Sequence, residues 1–412
     1  MNVTDHTFDV PLDESGIERI TVYAREVTAD PALPWLLFLG GGPGFPAPRP
    51  LGTEGWLLRA LKDYRVLLLD QRGTGRSTPV TRDVALTRGA SYLARFRADS
   101  IVRDAEAIRA ALIGDEPWTV LGQSFGGFCV VHYLSVAGHG LRAALVTGGL
   151  PGVEADAVGA YRALYPVVAE KNRAHYLAYP SDVEQARRVA AALLSADVRL
   201  PTGRRLTVEA FQSVGNLLGG RDGGAKLHYL LESPFAGGEL SDAFLFATQE
   251  ALSWATAATP LYYLLHEATY AQGEGATGWA AQRVRAEFPE FDARAALSGD
   301  APVYFTGEMI YPWMFDDDPL MAPLRGVADE LAELPRWPAL YDVDRLRDNK
   351  VPVAAAVYDT DLYVSRELSL RTAAQIGGLR LWHTADHQHD GLRVSDGEVL
   401  SQLLARLPGA AS

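Results

Sequence analysis

Short, unbroken apolar runs mark the N-terminal part of the chain. Trp35-Leu-Leu-Phe-Leu39, Arg65-Val-Leu-Leu-Leu69, Trp118-Thr-Val-Leu121 and Ala143-Ala-Leu-Val-Thr147 show no polar alternation. That pattern predicts parallel strands covered on both faces, because a strand with one wet face would alternate. Residues 18–27 (ERITVYAREV) do alternate and predict an antiparallel edge strand, in a hairpin with 8–12. Between the apolar runs lie helical stretches. The clearest is 101–113, where Ile101, Ala105, Ile108 and Leu112 share one face, with Ser100 placed to cap its start and Gly114 its end.

This strand-helix alternation stops near Val153 and resumes with Val351-Pro-Val-Ala-Ala-Ala-Val-Tyr358 and Leu379-Arg-Leu-Trp-His383. The pattern predicts an α/β core in two pieces, 1–152 and 341–412, with a mainly helical segment, 153–340, inserted between sheet strands. The insert carries the Ala-rich 185–196 patch, Trp254, Trp279, Trp313 and Trp337, and ten of the seventeen tyrosines, most of which should be packing residues. Gly219-Gly-Arg-Asp-Gly-Gly224 interrupts its helical pattern as a loop or hinge. A cap laid over the C-terminal edge of the sheet would enclose the place where open α/β sheets hold ligands.

Composition narrows the function. With 412 residues, 48% of them hydrophobic, the chain can bury one large core and a second lobe. No apolar run approaches the ~18 residues of a membrane span. Met1-Asn-Val-Thr-Asp-His6 has neither a basic start nor an apolar signal core, which leads us to expect a cytoplasmic protein. A net charge of −13 disfavours nucleic acid and anionic membrane as partners. The single cysteine, Cys129, excludes internal disulfides and cysteine-based zinc clusters, and reads as a small buried hydrophobe.

The chemistry is carried by Gly122-Gln-Ser-Phe-Gly126, directly after a predicted strand. In a G-x-S-x-G elbow the chain turns so sharply that the serine is lifted clear of the sheet, and the glycines keep strand and helix from colliding. The helix that follows points its positive end at Ser124, with the Phe125 amide facing where an oxyanion would form. Leu39-Gly-Gly-Gly-Pro-Gly44 also follows a strand, and its bare backbone offers Gly41 or Gly42 as second oxyanion donor. Leu69-Asp-Gln-Arg-Gly-Thr-Gly-Arg-Ser77 lacks the lysine and spacing of a P-loop. We expect Asp70 and Arg72 to buttress the 40–44 turn instead.

Gly-Gly-Pro-Gly, Asp-Gln-Arg-Gly-Thr-Gly-Arg-Ser and Gly-Gln-Ser-Phe-Gly-Gly, in that order, resemble the prolyl aminopeptidases (proline iminopeptidases) of the α/β-hydrolase superfamily. The likeness continues through His266-Glu-Ala-Thr-Tyr270, Thr306-Gly-Glu-Met-Ile-Tyr-Pro-Trp-Met-Phe315, Tyr358-Asp-Thr-Asp-Leu-Tyr-Val364 and His389-Asp-Gly-Leu-Arg393, as in its longer, larger-capped branch. One departure is visible: the histidine that often opens His-Gly-Gly-Pro-Gly is Gly40 here. The resemblance implies an α/β-hydrolase fold, a mostly parallel sheet flanked by helices with a large inserted cap. It also implies release of N-terminal proline from small peptides, with no cofactor.

A serine needs a base and an orienting carboxylate, which in this superfamily follow it in the order acid, then histidine. Asp359 and Asp361 both follow the strand ending at Tyr358, and the resemblance selects Asp361. The segment His383-Thr-Ala-Asp-His-Gln-His-Asp390 holds three histidines. Motif matching selects His389, leaving His383 in the strand and His387 beside the site. The same cluster could in principle ligate a metal, but a metallohydrolase would leave the Ser124 elbow without a purpose, and His266-Glu-Ala-Thr-Tyr270 lacks a zincin's second histidine. An aminopeptidase must also reward a free α-ammonium, and Glu267 and Glu308, both in aromatic surroundings, are the candidates. The rival readings are a carboxylesterase or amidase of the same fold and a non-catalytic relative. An epoxide hydrolase or dehalogenase would carry aspartate at position 124.

Overall fold

The computed structural model describes residues 1–52, 54–253 and 256–409. Trp254 lies outside the described residues. Eight strands form one sheet: β1 (Asn2–Pro11), β2 (Arg19–Thr28), β3 (Trp35–Leu39), β4 (Arg65–Asp70), β5 (Trp118–Gln123), β6 (Leu141–Thr147), β7 (Val353–Tyr358) and β8 (Leu379–Thr384). Their order is β1-β2-β4-β3-β5-β6-β7-β8. From β4 through β8 neighbours run parallel, whereas β1 pairs β2 and β2 pairs β4 antiparallel.

The unbroken apolar runs are explained by a core on each face of the sheet. Leu37, Leu39, Leu67, Leu69 and Val120 point into the larger core, and their neighbours Leu36, Phe38, Val66, Leu68 and Leu121 into the smaller one. The hairpin forms as expected, but 18–27 is not the edge. The outermost strand is β1, and β2 lies between it and β4, which accounts for the burial of most of β2. At the other edge β8 is largely exposed despite its apolar sequence, with Leu381 38% accessible.

Helix α1 (Ala98–Ile113) begins earlier than the sequence pattern indicates. Ser100 lies inside its first turn, and Arg97 occupies the cap position, its buried guanidinium donating to the Ala271 carbonyl at 2.9 Å. Gly114 ends the helix with φ of 63°. Between β6 and β7 the chain is mostly helical, led by α3 (Ala157–Ala178), and the strand pairs in this stretch form separate two-stranded ribbons. Helix α2 (Phe125–Ala137) leaves β5 directly and packs against α1. No helix among the described residues is long and apolar enough to cross a membrane.

Candidate active site

The turn from β5 into α2 leaves no room for side chains. A Cβ at Gly126 would lie 1.9 Å from the Leu39 carbonyl oxygen, and one at Gly122 would lie 2.4 Å from the Gly126 oxygen. With both positions bare, Ser124 takes φ 56° and ψ −126°, a left-handed conformation that costs an L-residue of order 1–3 kcal/mol and persists only where surrounding packing enforces it. The Ser124 amide donates to the Thr147 carbonyl at the end of β6 (3.1 Å), which anchors the elbow to the next strand. Phe125 is the first residue of α2, so its N–H has no acceptor within the helix.

Opposite stands the 39–44 turn. A Cβ at Gly41 would lie 3.0 Å from Ser124 Cβ, so the Gly41 backbone passes directly over the serine. Gln71 Nε2 donates to the Gly40 carbonyl at 3.0 Å and supports this turn. Arg72, expected to do so, does not. Its guanidinium chelates Asp104 (2.8 and 2.6 Å) and donates to the carbonyls of Pro11, Leu12 and Arg95, tying β1 to α1 from a fully buried position. Asp70 acts just beyond the turn, accepting from the Ala47 and Arg76 amides and from Arg49. The physical reason is reach. Strand β4 ends with Asp70 pointing at 47–49, and the chain then carries Arg72 away to the far side of the loop.

Asp361 and His389 form a buried couple. His389 Nδ1 lies 2.8 Å from Asp361 Oδ2, and Asp361 Oδ1 accepts from the amides of Tyr363 (2.9 Å) and Val364 (3.0 Å). Tyr363 also sets its ring edge-on to the imidazole, 4.6 Å between centroids. Gln388, next to His389, accepts from Thr360, next to Asp361 (3.2 Å), and from Lys171 Nζ of α3 (2.5 Å), so one amide oxygen braces both loops. Burial alone would lower the His389 pKa, but the anions Asp361, Glu308 and Asp390 outweigh it and hold the group above its ordinary value. Asp359 faces elsewhere, pairing with His383 of β8 and with Arg366 (3.4 Å). His387 packs between Tyr358 and Trp382. Cys129 is fully buried in α2, as expected of a small buried hydrophobe, and desolvation pushes its thiol pKa up.

Ser124, Gly41, Gly42, His389 and Glu308 line one cavity of about 440 Å³. The inserted segment supplies Asn216, Gly219, Gly220, Tyr262 and Glu308 to its wall. Glu308 accepts a hydrogen bond from the Tyr262 hydroxyl, and its other oxygen stands 3.8 Å from His266 Nε2. Glu267 does not join it on this wall. Its Oε2 accepts from the Ala281 amide (3.3 Å) in the first turn of the helix Ala280–Arg285, whose cap residue Trp279 supplies no side-chain bond. A helix start lacking such a partner attracts a nearby carboxylate. Glu267 Oε1 is buried with no hydrogen-bond partner among the described residues. Tyr262 lies in no motif, whereas Tyr363 falls inside the 358–364 stretch and Gln388 directly before His389, so position beside Asp361 and His389 is the one signal that could have marked them. No group of three or more His, Cys, Asp or Glu among the described residues is arranged to hold a metal ion.

Residues 34–392 match the model of the alpha/beta hydrolase fold family. A proline iminopeptidase of Aeromonas sobria is 46% identical over 410 residues, which cover 97% of this chain and 95% of that protein. A proline iminopeptidase of Aspergillus aculeatus is 36% identical over 420 residues, covering 97% and 92%. Identity of this extent over nearly the full length of both relatives, with the family model spanning the sheet from β3 to the His389 loop, places the chain in the α/β-hydrolase family and, within it, among the proline iminopeptidases.

Proposed function

We propose that this protein is a serine aminopeptidase that releases N-terminal proline from small peptides, with Ser124 as nucleophile, His389 as base and Asp361 as orienting acid. One observation carries the reading: Ser124, the Asp361-paired His389 and the carboxylate of Glu308 converge on a single cavity of about 440 Å³. His389 Nδ1–H donates to Asp361, which leaves Nε2 as the lone-pair nitrogen available to take the Ser124 proton. Ser124 Oγ then attacks the prolyl carbonyl, and the amides of Phe125 and of Gly41 or Gly42 stabilise the tetrahedral oxyanion. His389 returns the proton to the leaving amine. Water, deprotonated by the same imidazole, hydrolyses the prolyl ester. Residues 153–340 act as a cap over the core formed by 1–152 and 341–412, and they carry the groups that recognise the amine.

Glu308 is the acceptor for the substrate α-ammonium, and Glu267 lends a second negative charge from behind the wall. Glu267 directly follows His266, whose Nε2 stands 3.8 Å from Glu308, so the two carboxylates belong to one short stretch of the cap. An ammonium left unpaired in a water-poor pocket is costly, and so is an uncompensated acid.

Two outcomes test this reading. Acetyl-proline arylamide should be essentially unreactive while proline arylamide turns over, and Glu308→Gln should lower kcat/KM for the latter roughly ten- to a hundredfold, the usual worth of a charge-assisted hydrogen bond. Because His389 must be neutral to act as base, activity falls as pH drops through its raised pKa, above the ordinary ~6.5. Removing the Glu308 anion should move that acid limb to lower pH. Good turnover of the acetylated substrate, or of simple acyl esters in preference to proline arylamide, would favour an esterase or amidase of the same fold. Separately, a serine-directed organophosphonate should inactivate with one label on Ser124 while EDTA leaves the rate unchanged; loss with chelator and recovery with zinc would overturn the serine mechanism.

A further inference from the structure

The cavity that holds Ser124 is asymmetric in charge. Glu308 is tucked into the wall, its side chain 18% accessible, whereas Arg393 stands at the mouth with its side chain 79% accessible. Arg393 is the sole lysine or arginine among the described residues lining this cavity. It follows His389 by one turn, on the short helix Gly391–Val394, so its backbone is held by the same loop that presents the base.

Among the described residues the guanidinium makes no hydrogen bond, and its ion pair with Asp390 is long. The closest carboxylate, Asp390, is 3.9 Å away, beyond hydrogen-bond distance, and its oxygens accept from the Arg221 amide at 3.1 and 3.3 Å. Glu54, also on the wall, accepts from the amides of Leu51 and Gly52. The two charged ends belong to different parts of the wall. Phe45 and Tyr262, in ring contact at 5.1 Å, accompany Glu308 and pack against the larger core. Phe38, Trp56 and Leu392 accompany Arg393 and belong to the smaller core.

We propose that Arg393 binds the free α-carboxylate of the leaving residue, so that the enzyme is tuned to prolyl dipeptides. The proposal rests on the aminopeptidase reading, which seats the ammonium at Glu308 and the prolyl carbonyl at Ser124. From there the leaving residue extends toward the mouth. Consecutive Cα atoms are ~3.8 Å apart, so a dipeptide carboxylate lies only about 5 Å beyond the first Cα, and each added residue carries it further out. A carboxylate entering here meets Glu54, Glu308 and Asp390 on a chain of net charge −13, a field that repels it. The Arg393 fork offsets that repulsion and can bind the carboxylate through two parallel N–H···O bonds. The apolar rings of Phe38 and Trp56 are left to face the side chain of the leaving residue.

The test compares Pro-Gly with Pro-Gly-NH2, which differ only in the terminal charge, using proline arylamide as reference in wild type, Arg393→Gln and Arg393→Lys. The wild type should favour the free acid in kcat/KM by roughly three- to tenfold, a modest factor because the guanidinium is exposed. Raising the ionic strength should narrow this ratio. Arg393→Gln should bring it to one or below, and Arg393→Lys should retain part of it. A wild-type ratio at or below one, or an Arg393→Gln variant that loses both peptides equally, overturns the carboxylate site. If the wild type cleaves proline arylamide and the ratio is one, only this site falls. If it cleaves no proline arylamide, the aminopeptidase reading falls and takes this proposal with it.

Discussion

Replacing Ser124 by alanine should reduce turnover of proline arylamide by several powers of ten, and replacing His389 by alanine should do nearly the same. The expectation comes from how the three groups depend on one another. A serine hydroxyl without a base is a poor nucleophile, and a base without the serine has only water to activate, so losing either member forfeits most of what the set achieves together. Ser124→Ala keeps the Cβ and the backbone that the elbow strains, so thermal unfolding should be unchanged and the loss should fall on kcat. His389 sits on a buried carboxylate, and removing it leaves Asp361 with two amide donors from Tyr363 and Val364, enough to keep that charge partnered. More than about a hundredth of the wild-type rate in either variant could not be reconciled with an activated serine.

The second large effect separates two acids two residues apart. Asp361→Asn should lower kcat/KM by on the order of 10³–10⁴, because Oδ1 already accepts from two amides. The new NH2 must then turn toward His389 Nδ1. That forces the proton onto Nε2 and removes the lone pair that would accept from Ser124. Asp359→Asn disturbs only the pair with His383 on the exposed edge strand and the contact to Arg366, and should change the rate by less than about threefold. Steady-state kinetics of the two variants beside wild type would decide, and the reverse ranking would make Asp359 the orienting acid.

The proposed carboxylate site gives these experiments a practical edge. An arylamide has no terminal charge and does not engage Arg393 as a dipeptide would, so the two substrate types report on different ends of one cavity. Glu308 variants should weaken both, since both present the ammonium. Arg393 variants should weaken mainly the free dipeptide. Mutations in the Asp361–His389 couple should act on the chemical step for every substrate.

Local pattern determined a good deal here. The unbroken apolar runs of β3 to β6 announce strands buried on both faces, since every second residue must enter a different core, and those runs were legible without any tertiary information. The glycines around Ser124 were equally legible, because the elbow is steric and steric demands are written in residue type at fixed spacing. What only the tertiary structure decided are matters of which group a side chain reaches. Sequence order could not tell that Arg72 turns to Asp104, that a second strand outside β2 takes the edge, or that Glu267 turns to the start of a neighbouring helix while Glu308 lines the cavity that holds Ser124. Nor could it bring Lys171 to Gln388, or set Arg393 at the mouth of the same cavity as Glu308. The reason is physical: backbone conformation follows from neighbours along the chain, whereas a charged side chain goes to whichever partner the fold leaves unsatisfied, and that partner is fixed only when distant segments meet.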